Sequence, residues 1–195
     1  MTERERVTAE ILEMELGMFL SVRSERRASC QDHPENFKLH RRAQFSAWSH
    51  GTLASYLDDL RRAQEEGDNL MTYKYARMQN LIPRENTNPL IDEIVRIHFG
   101  WQEEMFRNYP AFMGGARPIS EAAGGAGTTS FETYLKGELE SFSDRTLELL
   151  HADMAAKLAK GVNMSEEVYE YLARESGYSS LAEAERTLAE RRRTR

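Results

Sequence analysis

The sequence predicts an all-α protein, a single-domain helical bundle or irregular array of about eight helices. Apolar residues recur at spacings of three and four along most of the chain, and strand-like alternation is nearly absent. Helix-start and helix-stop residues separate the periodic segments. A length of 195 residues is close to the usual size of one domain and is long enough to bury a core. We therefore expect one helical domain over residues 1–195.

The predicted helices follow one another with short breaks. Thr2 and Glu5 form a possible capping box for the first helix, and Pro34 suits the first turn of the second. Thr129 and Glu132 fit a capping box for the sixth. The predicted spans are Thr2 to Arg27, Pro34 to Ser49, Thr52 to Glu66, Leu70 to Pro83, Asn88 to Asn108, Thr129 to Lys160, Ser165 to Glu175, and Ser180 to residue 195.

A Gly-rich loop near residues 109–128 interrupts the helical pattern. It contains Gly114, Gly115, Gly124, Gly125 and Gly127. Long connections without periodicity are uncommon inside compact domains, and many of them are lids or mobile binding loops. The sequence leaves two interpretations open, a lid and a plain disordered connection.

Charge and composition narrow the classes of partner and compartment. A formal net charge of -6 opposes phosphate, so we expect no general affinity for nucleic acid. A single cysteine fits a reducing compartment, the charged N-terminus is unlike a signal peptide, and no apolar run is long enough to span a membrane. We therefore expect a cytoplasmic protein without membrane partners, and the sequence leaves the oligomeric state open.

Polar side chains occupy the apolar stripes of several predicted helices, when residues are placed at about 100° per residue. Glu15 projects from the middle of the apolar face of the first helix. On the second helix, Arg41 and Gln44 lie between Phe37 and Trp48 on one stripe. A buried carboxylate needs a partner, and Arg41 is the candidate for Glu15.

Three further helices repeat this pattern. Lys74 lies near the apolar seam of the fourth helix, His98 and Gln102 face inward on the fifth, and Glu138 lies inside the stripe of the sixth. An unpaired buried charge costs several kcal/mol, so these groups must pair with each other or with a ligand. A structural ion pair explains any one of them, whereas their recurrence in five helices favours a shared functional site.

Residues along nearly the whole chain also match the pattern of a known family. The matching residues are Glu15-Leu16-Gly17-Met18-Phe19, Ala28-Ser29-Cys30-Gln31-Asp32, Phe37, Arg41, Gln44-Phe45, Trp48, Tyr56-Leu57-Asp58-Asp59-Leu60, Asn69-Leu70, Lys74-Tyr75-Ala76-Arg77-Met78, Trp101, Tyr109-Pro110, Arg117, Ser130-Phe131-Glu132-Thr133-Tyr134, Glu138-Leu139 and Tyr178. The chain thus resembles the bacterial family catalogued as domain of unknown function 4125. The resemblance implies a helical bacterial protein and no established activity. The family motif that it implies includes Glu15, Cys30, Arg41, Gln44, Lys74, Trp101 and Glu138.

We interpret the inward polar residues as one pocket that binds or converts a small anionic metabolite. Arg41, Lys74 and Arg117 would bind the anion. Glu15 and Glu138 would be the general acid/base groups, because apolar surroundings raise the pKa of a carboxyl and a nearby cation lowers it. The other expected ligand-binding residues are Gln44, Trp48, Tyr75, His98, Trp101 and Tyr134. The sequence identifies no cofactor.

Three other interpretations stay open. Cys30 precedes a predicted helix and has Arg27 and His33 nearby, an environment that lowers a thiol pKa, so it is a candidate catalytic nucleophile. Glu148 and His151 have the Glu-x-x-His spacing of di-iron carboxylate bundles but fall off the apolar stripe, so no metal ligand is assigned. A non-catalytic helical adaptor would use its inward charges only to fix the helix register.

Overall fold

A computed structural model describes residues 1–22, 32–120, 122 and 129–194. Within these residues the chain forms nine α-helices and no strand, which confirms the all-α prediction. The helices are α1 (Glu3–Ser21), α2 (Pro34–Ser46), α3 (His50–Glu66), α4 (Leu70–Met78), α5 (Leu90–Asn108), α6 (Phe131–Leu139), α7 (Asp144–Leu158), α8 (Met164–Glu175) and α9 (Leu181–Arg193). In the described part of the chain, no helix is both long and apolar enough to cross a membrane.

Most helices begin within two residues of the predicted start, and serine caps explain the starts of α3 and α6. α3 begins two residues early because Ser49 is its cap, with its hydroxyl accepting a hydrogen bond from the backbone N–H of Thr52 (3.2 Å). α6 is capped by Ser130 rather than Thr129, and the Ser130 hydroxyl accepts from the backbone N–H of Thr133 (3.0 Å). The predicted capping box between Thr2 and Glu5 is present at the start of α1.

Several helices end before the predicted residue. α2 ends at Ser46, and α4 ends at Met78 because Asn80 adopts a left-handed backbone conformation (φ 54°) that a helix cannot continue. α1 ends at Ser21, where Val22 adopts an extended backbone conformation (φ -62°, ψ 122°), and residues 23–27 of its predicted span lie outside the described residues.

The prediction of one long helix over residues 129–160 is wrong, because this segment forms both α6 and α7. Ser143 caps α7 by accepting a hydrogen bond from the backbone N–H of Thr146 (3.2 Å). The buried carboxylate of Asp59 accepts from the backbone N–H of Ser143 (3.0 Å) and from the Thr146 hydroxyl (2.7 Å). A distant side chain on α3 thus stabilises the new helix start, which local periodicity could not reveal.

Six helices pack in a closed circuit, in the order α1, α2, α8, α5, α6, α4 and back to α1. α3 and α7 pack against each other, and they also pack against α1 and α5, respectively. The main apolar core includes buried residues from α1 through α8. A smaller cluster, which includes Met105, Ala173 and Leu181, joins α9 to α5 and α8. The circuit brings the predicted polar stripes of α1, α2, α4, α5 and α6 toward one another.

The Gly-rich segment is described only in part. Residues Met113–Gly115 form a short 3₁₀ helix after α5. Gly124, Gly125 and Gly127 lie outside the described residues. The interpretation of this segment as a lid therefore stays a prediction.

Candidate functional site: a buried charge network beside a cavity

Glu15, Arg41, Glu138 and Lys74 form a buried network of alternating charge, with each side chain 3% exposed or less. Arg41 Nε donates a hydrogen bond to Glu15 Oε2 (2.8 Å), and Arg41 Nη1 donates to Glu138 Oε1 (2.8 Å). Lys74 Nζ donates to Glu138 Oε2 (2.6 Å). The expected Glu15–Arg41 pair is present, and the network joins α1, α2, α6 and α4 through two negative and two positive charges.

Two neutral side chains complete this network. The Tyr56 hydroxyl donates to Glu15 Oε1 (2.6 Å), and Gln44 Nε2 donates to Glu138 Oε1 (2.8 Å). Both oxygens of each carboxylate therefore accept hydrogen bonds. The sequence interpretation missed Tyr56, because a tyrosine in an apolar stripe is ordinary core; its place in the matching run of residues 56–60 was the available signal.

Gly137 permits the close approach of α6 to α4 that the network requires. A Cβ at this position would lie 3.0 Å from the backbone oxygen of Lys74 and 2.8 Å from the Cγ of Met78. A side chain here would push α6 away from α4. The glycine thus helps bring the Glu138 carboxylate, on the next residue, within hydrogen-bonding distance of Lys74.

The network keeps Glu138 and Arg41 charged. Burial by itself raises the pKa of the Glu138 carboxyl, but the charges of Arg41 and Lys74 outweigh it and hold that pKa well below its usual range. Burial lowers the pKa of Arg41, and Glu138 and Glu15 outweigh it. A carboxylate with such a low pKa and with both oxygens occupied is a poor proton carrier near neutral pH. The acid/base roles of Glu15 and Glu138 stay predictions, and this geometry favours a structural role.

A cavity of about 590 Å³ lies against this network and is lined by residues from all six helices of the circuit. Eight of the predicted site residues line it: Arg41, Gln44, Trp48, Tyr75, His98, Arg117, Tyr134 and Glu138. Aromatic rings form much of the remaining wall, including Phe37, Phe131 and Phe142. The exposed lining residues, such as Asn36, His40 and Arg117, mark the mouth.

The other four predicted site residues lie elsewhere. Glu15 and Lys74 belong to the buried network behind the cavity wall, and Lys74 Nζ also lies 3.7 Å from the centroid of the Tyr134 ring. Trp101 is buried in the main core, with its ring edge-on to His98. Cys30 lies outside the described residues, so its role as a nucleophile stays a prediction.

Arg117 is an exposed cation at the mouth of the cavity. Its guanidinium lies 4.9 Å from the centroid of the Tyr134 ring. Among the described residues, its hydrogen bond goes to the backbone oxygen of Thr129 (3.4 Å) rather than to a carboxylate. Burial, with a further contribution from the Arg117 charge, lowers the pKa of the neighbouring His40. The mouth therefore carries positive charge that no described carboxylate neutralises.

The α5 wall of the cavity holds two buried polar atoms without a hydrogen-bond partner in the described structure, His98 Nδ1 and Gln102 Oε1. Gln102 is 4% exposed, and its Nε2 donates to the hydroxyl of Tyr169 on α8 (2.8 Å). Burial lowers the pKa of His98 to about 4, although the Glu138 carboxylate opposes this shift, so the ring is neutral at neutral pH. Tyr169 gave no sequence signal, whereas Gln102 shared the inward stripe of His98.

The residues of the Glu-x-x-His motif do not converge on a metal site. The exposed Glu148 pairs with Arg145 (3.3 Å), and His151 Nε2 lies 3.3 Å from the carboxylate of Glu93. Within residues 1–22, 32–120, 122 and 129–194, no group of three or more His, Cys, Asp or Glu side chains could hold a metal ion.

Comparison with known proteins gives a family and no activity. No curated protein and no solved structure matches the chain. A family model described as "Protein of unknown function (DUF4125)" matches residues 5–186, which are most of the chain. This match confirms the family resemblance found in the sequence, and the chain therefore belongs to that family.

Proposed function

We propose that the protein binds a small amphipathic anion, with an apolar, preferably aromatic, body in the cavity and its anionic group beside Arg117. The observation behind this proposal is an aromatic-walled cavity of about 590 Å³ whose mouth carries a cation, Arg117, that no carboxylate of the described residues neutralises. Sites for small molecules are commonly clefts of roughly 300–1,000 Å³, mostly apolar, with a few polar groups that fix orientation. The cavity has this composition.

The anion is assigned to Arg117 rather than to Arg41 and Lys74. The two buried cations already pair with Glu15 and Glu138. An anion that displaced one of these carboxylates would leave it buried without a partner, which costs several kcal/mol. Arg41 can still contact a ligand because it lines the cavity. The proposal therefore keeps the anionic ligand class expected from the sequence and changes its main anchor.

Binding is favoured over catalysis. The predicted acid/base groups, Glu15 and Glu138, accept hydrogen bonds on both oxygens of each carboxylate. A general acid or base must reach the proton that it transfers. Neither carboxylate has a free oxygen for this purpose.

Two fluorescent naphthalenes test the proposal, anilinonaphthalene sulfonate and its neutral analogue phenylnaphthylamine. Both should bind with one site per chain, because the aromatic body is buried in the cavity. Arg117→Gln should lower the affinity for the sulfonate about tenfold, because it removes roughly 1.4 kcal/mol of charge-assisted contact. It should leave the affinity for the neutral dye unchanged. Arg61→Gln is the control, since Arg61 is exposed on α3 and pairs with Glu10. Absence of saturable binding of both dyes would refute the proposal.

A second variant tests the location of the dyes. Val168 lines the cavity on α8, so Val168→Trp should fill part of it and abolish binding of both dyes. Leu158→Trp is the matched control, because Leu158 is exposed on α7 and does not line the cavity. Unchanged dye binding by Val168→Trp would mean that the dyes bind at another site.

A helical adaptor is the second candidate, and the closed charge network favours it. Buried charges that satisfy one another can fix helix register without any ligand. An adaptor requires no occupied cavity, so this candidate predicts that neither dye saturates in a chain that folds cooperatively. The same titration therefore separates the two proposals.

A further inference from the structure

We infer that the wall formed by His98, Gln102 and Tyr169 recognises an uncharged hydrogen-bonding group, such as a primary carboxamide, at the inner end of the ligand. The inference rests on the proposed function, because it assigns chemistry to a second region of the same cavity. Arg117, at the exposed mouth, would bind the anionic end. The two regions together predict a ligand with an anion at one end and a neutral polar group at the other.

The side-chain amide of Gln102 is only partly hydrogen-bonded within the described residues. Its Nε2 donates to the Tyr169 hydroxyl (2.8 Å), which orients the side chain and leaves Oε1 buried without a partner among the described residues. A buried acceptor without a hydrogen bond costs about 1–3 kcal/mol, and a ligand donor would remove that cost. Such atoms are uncommon in folded proteins and call for a cause. A ligand N–H in this cavity is a sufficient cause.

His98 lies one helical turn before Gln102 on the same face of α5. Its Nδ1 is also buried with no partner in the part of the chain that the structure describes, and both residues line the cavity. The Tyr169 hydroxyl accepts from Gln102, which leaves its own hydrogen available as a donor. The three side chains therefore offer acceptors and donors side by side, an arrangement that suits a group with both an N–H and a C=O.

A primary carboxamide fits whichever way the Gln102 amide is turned. The tyrosine hydroxyl can donate or accept, so either orientation leaves one end of the amide without a partner. A carboxamide supplies an N–H for the oxygen or a C=O for the nitrogen. Its planar group also matches the flat side chains of Gln102 and His98.

The recognised group should be uncharged. His98, Gln102 and Tyr169 supply no counter-ion, because burial lowers the pKa of His98 to about 4 and raises that of Tyr169. The nearby charge network contains two carboxylates and two cations already paired. An ion placed at this wall would be desolvated without a partner and would cost several kcal/mol. A neutral polar group avoids that cost.

The test uses two neutral ligands of the same shape, β-naphthamide and β-isopropylnaphthalene, as competitors of bound phenylnaphthylamine. Gln102→Met removes the amide and nearly preserves side-chain volume. This variant should lower the affinity for β-naphthamide at least tenfold, which is about 1.4 kcal/mol. It should change the affinity for β-isopropylnaphthalene by less than about twofold. Gln64→Met, at an exposed position on α3, is the matched control and should change neither affinity. His98→Phe should reduce the preference for the amide in the same direction.

The outcomes distinguish this inference from the proposed function. If phenylnaphthylamine binds but Gln102→Met weakens both competitors equally or neither of them, the inference is overturned while the cavity remains a binding site. If the dye does not bind, the proposed function fails and the inference fails with it. If Gln102→Met does not fold, the wild-type protein decides, because a tenfold or greater preference for the hydrocarbon over the amide would overturn the inference.

Discussion

The charge network and the α5 wall both consist of polar side chains in apolar helix stripes, yet their hydrogen bonding differs. In the network, Glu15 and Glu138 accept hydrogen bonds on all of their oxygens, from Arg41, Lys74, Tyr56 and Gln44. In the wall, His98 Nδ1 and Gln102 Oε1 have no partner in the described structure. Both regions border the same cavity, since Glu138 and Gln102 both line it.

This difference separates polar groups that hold helices together from polar groups that are available to a ligand. The charge network links α1, α2, α4 and α6. Removing Arg41 leaves Glu15 buried without an opposite charge, and removing Glu138 does the same to Lys74. An unsatisfied wall makes one link, between Gln102 and Tyr169, and therefore contributes little to stability. Mutations in the charge network should therefore change mainly the stability of the protein, and mutations in the α5 wall should change mainly ligand binding.

The largest effect is expected in the network, at Arg41. Arg41→Met leaves Glu15 and Glu138 buried without their shared cation, so the free energy of unfolding should fall by about 5 kcal/mol. Urea unfolding followed by circular dichroism measures this loss. Arg61→Met is the control, because it breaks an exposed pair with Glu10 and should cost no more than about 1 kcal/mol. Similar losses for both variants would contradict the structural role of the network.

A smaller effect is expected from pH at His98. Its pKa falls from 6.5 in the unfolded chain to about 4 in the folded protein, so the unfolded state binds more protons between these values. The resulting stabilisation is fully present above pH 6.5 and is lost as pH falls toward 4. His98→Phe should remove about 3 kcal/mol of this pH dependence between about pH 7 and pH 4.

Urea unfolding of the wild type and of His98→Phe, at several pH values between 7 and 4, gives the required comparison. Parallel stability curves would mean that His98 titrates alike in the folded and unfolded states. That outcome would contradict its burial as a neutral group in the cavity wall.

The charged members of the site could be predicted because helical periodicity fixes which face a side chain occupies. Glu15, Arg41, Lys74 and Glu138 interrupt apolar stripes of their own helices, and all four proved to be buried. Their partners were harder to predict, because pairing depends on how separate helices pack. Tyr56 gave no such signal, since an aromatic residue in a stripe is the ordinary composition of a core.

Two other features could not be predicted from the sequence because they depend on tertiary packing. They are the boundary between α6 and α7 and the missing hydrogen bonds of the α5 wall. Asp59 on α3 accepts two hydrogen bonds at the start of α7, and no residue near the break indicates this partner. Likewise, Gln102 meets Tyr169 across the contact between α5 and α8. Whether a buried amide is satisfied is a property of tertiary packing, which helix periodicity does not contain.

The most direct test of the comparison is the free energy of unfolding of Glu138→Gln and Gln102→Met, measured side by side. Glu138→Gln should lose about 3–5 kcal/mol, because Lys74 loses its carboxylate partner and Arg41 keeps only that of Glu15. Gln102→Met should stay within about 1 kcal/mol of the wild type, since it removes one hydrogen bond together with one unpartnered oxygen. If Glu138→Gln were as stable as the wild type, or if both variants lost equal stability, the proposed difference between the charge network and the α5 wall would be contradicted.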